Sequence, residues 1–200
     1  RRQRQMCIRD SEKTRKGIST GLLGLSLMLC LAGLFGPYWL TLNGYEGNSL
    51  VSWSLDEARL EVGEERSSDS LSELCELEEE VVDSTDADTC AIARAGAVAT
   101  VFLWLGILFT VLTIVHSYLP VEVLDWMDER IPESVTATIV WFGGAFMLIG
   151  VLLWYILLPD IGTVDVGRSA YLTVMAGLVG LGSIVFNKYE IDVVVVRRES

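Results

Sequence analysis

The chain has 200 residues, 51% of them hydrophobic, with a mean hydropathy of +0.43 and a formal net charge of −12. The acidic balance argues against a nucleic-acid partner, which needs a basic surface. So many apolar residues argue against an ordinary soluble domain. The charge is also segregated: residues 17–45, 95–121, 134–159 and 169–187 contain no Asp, Glu, Lys or Arg.

Each of those stretches reaches the ~20 residues that a helix needs to cross ~30 Å of hydrocarbon. A domain this small could not wrap four fully apolar helices in polar structure, so buried core helices are a poor alternative. Four spans are therefore expected, at 18–39, 95–118, 136–158 and 170–187. The first is long for a signal peptide, and GPYW is not a small-residue cleavage site. The expected fold is an all-α membrane protein, a four-transmembrane-helix bundle with a small sheet from its first loop.

Residues 1–16 read as a cytoplasmic tail, because Lys and Arg concentrate on that side of a membrane. The opening RQMCIRDS resembles translated sequencing-adapter sequence, which would make residues 1–10 artefactual, and Cys7 is given no function. Lys13, Arg15 and Lys16 carry the orientation without it. In the first span, Gly17 and Gly21 invite a dimer seam, but packing within one bundle is the preferred reading. Tyr38 and Trp39 close the span as interfacial aromatics.

The first loop, 40–94, then lies outside the cytoplasm. YWLTL, SLVSWSL and ARLEV have the alternation of short strands, with Trp53 in the second, and NGYEGN reads as a turn. Outside is where disulfides persist. Cys30 sits in an apolar span and Cys7 on the cytosolic side, so Cys75 and Cys90 are the pair placed to bond, as a structural staple. No Cys-x-x-Cys redox pair is present.

Residues 46–88 hold fifteen acidic side chains against Arg59 and Arg66. Asp83, Asp86 and Asp88 raise the question of calcium. The EF-hand spacing is not met, since position 85 is Thr and no Gly follows, so a solvated acidic surface is preferred and no metal is expected. Arg94 stands at the lipid boundary, where its fork could hold a loop carboxylate or simply snorkel to water.

The second span runs 95–118 and leads to a cytoplasmic connection, 119–135. Trp104 and Trp141 read as packing residues within their spans, and Trp154 and Tyr155 as interfacial aromatics. The lone His116 lies near the cytoplasmic end of its span and reads as interfacial rather than as a ligand or proton relay. Gly143 and Gly144 in the third span and AGLVGLGS in the fourth suit close helix approach. A second outer loop, 159–169, joins these spans, and 188–200 forms the cytoplasmic tail. Apart from His116 the spans carry no ionisable group of the kind pumps and membrane enzymes use. No phosphate loop, nucleophile elbow, HExxH or dinucleotide fingerprint is present, so neither catalysis nor a cofactor is expected.

These features together resemble the claudin and peripheral-myelin-protein superfamily. Pro37-Tyr38-Trp39 is similar to the Pro-x-Trp that follows its first helix, and Ala93-Arg94-Ala95 to the AARA opening its second. Cys75 and Cys90 match its loop disulfide, and Tyr171 within GRSAYLTVMAGLVGLG takes the tyrosine place at its fourth helix. The resemblance implies a plasma-membrane tetraspan protein with both termini cytoplasmic. It also implies a non-catalytic role: adhesion, barrier or auxiliary subunit, with the lipid bilayer and a membrane protein or a second copy as partners. Trp39, Trp53, Arg94 and Tyr171 are then the structural and interaction residues. The rival expectation is a small channel or transporter subunit whose acidic vestibule attracts cations.

Overall fold

The computed structural model describes residues 2–43, 49–62, 65–81, 88–120, 123, 130, 133–159 and 164–188. Side chains are described within those limits except at 2–13, 43, 49, 62, 78–81, 88, 133–137 and 187–188. In chain order the elements are α1 (Arg2–Leu34), β1 (Leu40–Asn43), β2 (Ser49–Trp53), β3 (Glu57–Val62), β4 (Glu65–Ser70), α2 (Leu71–Val81) and α3 (Asp88–Tyr118). After these come α4 (Glu133–Leu157), β5 (Asp165–Val166) and α5 (Arg168–Lys188).

Four helical segments are long and apolar enough to cross a membrane: Thr14–Leu34, Thr89–Tyr118, Thr138–Leu157 and Arg168–Phe186. The chain is an integral membrane protein. Its first span stops at Leu34, five residues before the expected 39, because Pro37 cannot continue a helix and disfavours the helical conformation at Gly36. Residues 35–39 instead turn the chain into the sheet.

Lipid provides no hydrophobic drive between helices, so small residues and hydroxyls set the pairing. α1 lies on α5. The Ser26 hydroxyl donates to the Ala176 carbonyl at 2.7 Å, and Ser183 donates to the Ser19 carbonyl at 2.9 Å. A side chain at Gly33 would run into Thr173 and the Ser169 carbonyl. α3 lies on α4, where Gly106 and Gly143 admit Met147 and Thr110, and Phe102, Phe109, Phe142 and Phe146 stack alongside. Gly144 and Gly177 bring α4 against α5. α1 and α3 close the ring with much less contact.

Some expectations change at this level. A side chain at Gly17, Gly21 or Gly24 would meet nothing within 4 Å among the described residues; the small residues of α1 that touch α5 there are Ser19, Ser26 and Gly33. Trp154, expected among the interfacial aromatics, is 2% exposed and faces the core against Trp39. Trp104, expected as a packing residue, is 49% exposed on the outer surface of α3.

The sheet is antiparallel, five strands in the order β4-β3-β2-β1-β5, and sits at one end of the bundle. Three strands match the expected segments. β4 (ERSSDS) has no apolar alternation and joins through backbone pairing to β3, while β5 is two residues from the other loop, paired to Leu40 and Thr41. Cys75 lies within α2, which runs on to Val81 where open acidic loop was expected; residues 82–87 lie outside the described residues. The NGYEGN turn falls at 43–48, outside the described residues except for its first, Asn43, which ends β1.

Candidate interaction surface

The sheet could not act as a platform unless it were fixed to the helices, and Trp39 does much of that fixing. Its side chain is fully buried, and the indole Nε1 donates to the Gly33 carbonyl at 2.8 Å. Its ring meets Trp154 edge-on at 5.0 Å between centroids. The Trp39 backbone N–H donates to the Trp53 carbonyl, and its carbonyl accepts from Gly167 N–H, both at 2.8 Å. One residue therefore ties α1, α4, β2 and the start of α5 together. Beside it, Ser169 N–H donates to the Tyr38 carbonyl at 2.9 Å, and a side chain at Gly167 would strike that same carbonyl.

A second anchor lies on α3. The turn between β2 and β3 rests against Gly96 so closely that any side chain there would run into the Leu55 backbone. The turn is self-locked: the Ser54 hydroxyl accepts from Glu57 N–H at 2.8 Å and donates to the Asp56 carboxylate at 2.8 Å. Leu71 N–H then donates to the Asp56 carbonyl at 2.9 Å, which fixes the start of α2. The third anchor is covalent. Cys75 of α2 and Cys90 of α3 form a disulfide across 4.8 Å between Cα atoms.

Strand register sorts the residues onto two faces, since directly opposite residues share a side. On one face Leu40, Trp53 and Ala58 form a row that packs into the core. The next row on that face, Leu42–Val51–Leu60, is only half covered, and Leu60 is 44% exposed. The other face is polar, with Glu57, Arg59 and Glu61 in line along β3. Arg59 pairs with Glu57 at 3.0 Å and Arg66 with Glu61 at 3.3 Å. Both pairs are solvent-accessible and add little stability.

The remaining expected residues are dispersed. Trp53 is half-buried within the first row. Arg94 is exposed and has no ion pair or side-chain hydrogen bond among the described residues. Tyr171 is exposed on α5 and lines, with Trp154, Tyr155 and Val166, an apolar groove between α4 and α5. Asp83 and Asp86 lie outside the described residues, as does the side chain of Asp88. Sequence reasoning missed Trp154 as the partner of Trp39. The signal was there, because Gly143, Met147, Gly150 and Trp154 recur at helical spacing along one face of α4.

No protein-family model matches the chain, and no curated protein matches it.

Proposed function

We propose that this chain is a claudin-like tetraspan protein acting without catalysis as a membrane organiser at the cell surface, with both termini cytoplasmic. In this reading the sheet meets a partner, either a membrane protein or a neighbouring copy, in adhesion, barrier formation or as an auxiliary subunit. The observation that carries it is the half-covered apolar row Leu42–Val51–Leu60 on a platform fixed at three points to the bundle. Apolar side chains aligned outside the spans gain by being covered, and a rigid platform loses little entropy when they are. The bundle interior supports the same reading over a channel, because Cys30, Leu103, Thr110 and Met147 fill it.

A photo-crosslinking residue at Leu60 should give a discrete adduct in native membranes. The same residue at Ser68, which is paired with Arg59 and so shares the polar face, should give none. Purified protein in liposomes should carry no ion flux. Cation flux from the chain alone, or equal adducts from both positions, would replace the organiser with the channel subunit.

A further inference from the structure

The weakly closed side of the bundle, between α1 and α3, opens at the sheet end into a cleft of about 270 Å³. Its walls come from two chemistries. Phe35 at the end of α1 and Trp104 on α3 meet edge-on at 6.4 Å, and both are exposed, at 71% and 49%. Above them the β2–β3 turn presents Asp56 and the start of β3 presents Glu57 and Arg59, with Thr100 on the α3 wall.

This change from aromatic to charged occurs where the first span ends, at Leu34, so the cleft stands at the depth of the lipid headgroups. Its volume is just below the ~300–1,000 Å³ of sites that enclose a whole small molecule, enough for a headgroup whose chains remain in the bilayer. The roof is preorganised by the Ser54 hydrogen bonds and by the Leu71 N–H on the Asp56 carbonyl.

We propose that this cleft seats a single zwitterionic phospholipid with a primary ammonium, its phosphate on Arg59, its ammonium on Asp56, and an acyl chain over Phe35 and Trp104. A guanidinium has five donors. Arg59 spends Nε and one Nη2 hydrogen on Glu57, which leaves three for phosphate oxygens. The Asp56 carboxylate accepts from Ser54 through Oδ1, which leaves Oδ2 to accept from an ammonium.

Charge then selects the class. One guanidinium against two carboxylates leaves a net negative roof, which disfavours an anionic headgroup such as phosphatidylglycerol. A choline headgroup matches the charge but has no N–H to donate. Phosphatidylethanolamine satisfies both ends. The proposal concerns a lipid in the wall of the bundle and stands apart from what the sheet's apolar row contacts.

The test is native mass spectrometry of the full-length chain, released from detergent after incubation with phosphatidylethanolamine, phosphatidylcholine or phosphatidylglycerol of matched chains. Phosphatidylethanolamine should be retained about tenfold better than phosphatidylcholine, as one charge-assisted hydrogen bond allows. Asp56→Asn should erase that preference, and Arg59→Gln should lower retention of both zwitterionic lipids. Arg66→Gln, an arginine of β4 outside the cleft, should change neither. Melting curves of these surface variants check that each remains folded. Equal retention of all three lipids, best retention of phosphatidylglycerol, or an ethanolamine preference that survives Asp56→Asn would overturn the assignment.

Discussion

The fixing of sheet to bundle is most directly tested at Trp39, where two substitutions should separate packing from hydrogen bonding. Trp39→Ala removes a fully buried indole from the junction of α1, α4 and the sheet. Such truncations cost about 3–5 kcal/mol, through lost burial and the cavity left behind. Trp39→Phe keeps much of the bulk but loses the Nε1 donor and part of the edge-on contact. The Gly33 carbonyl would not be orphaned, because it also accepts from Gly36 N–H at 3.2 Å. The lost bond therefore costs only its net value of about 0.5–1.5 kcal/mol, and the weakened ring contact adds at most about as much. The phenylalanine variant should retain more than half of what the alanine variant loses. With roughly 2–4 °C of melting temperature per kcal/mol for a chain of this size, Trp39→Ala should melt about 6–20 °C lower and Trp39→Phe about 1–12 °C lower. Buried Cys30 supplies the assay, since a thiol-reactive dye reaches it only on unfolding; Cys7→Ser removes the one cysteine besides Cys30, Cys75 and Cys90. Equal losses in both variants, or an alanine variant melting within 2 °C of the parent, would refute the reasoning.

The disulfide should appear as an intramolecular bridge on non-reducing electrophoresis after thiol blocking. Cys75→Ser should destabilise α2 and its seat by about 2–5 kcal/mol, seen as faster proteolysis there. Gly96→Val should dislodge the β2–β3 turn and sharply lower the melting temperature, while Gly21→Val, which meets nothing among the described residues, should change stability by less than about 0.5 kcal/mol. Ca²⁺ and Mg²⁺ should act alike and weakly on the melting curve; a saturable, Ca²⁺-selective rise lost on replacing Asp83, Asp86 and Asp88 by Asn would reveal a binding site.

What was legible in the sequence follows from how strongly each feature is marked. Charge-free runs mark the spans because burying a charge in lipid is costly, and Cys75 and Cys90 stood out once the topology had been assigned. α2 was missed although Leu71, Leu74, Leu77 and Val81 carry a helical period, because its six intervening charges and hydroxyls read as solvated loop. β4 and β5 leave little side-chain signal: one is held mainly by ladder hydrogen bonds and the other is two residues long. Trp154 and Trp104 were assigned by depth along the helix, whereas the small residues beside them mark which face packs. Gly17 and Gly21 show the converse, as small residues on a face that meets nothing among the described residues.

Charge also bears on what the sheet can meet. Residues 46–88 hold fifteen carboxylates and two arginines, a net of −13 within one connection. Two copies meeting sheet to sheet would bring these fields together, and like charge of that density opposes association unless salt screens it. The screening length is ~8 Å at physiological ionic strength and ~3 Å at 1 M salt, so repulsion across an interface rim persists in the first case and nearly vanishes in the second. A partner with a basic rim around an apolar strip would respond in the opposite direction, binding best at low salt. Energy transfer between two labelled populations in proteoliposomes distinguishes the cases. The expected result is little self-association at physiological salt and a rise at 1 M that Leu60→Ser abolishes. Self-association that is strong at low salt, or unchanged by Leu60→Ser, would mean that copies meet through the helices and that the sheet is reserved for something else.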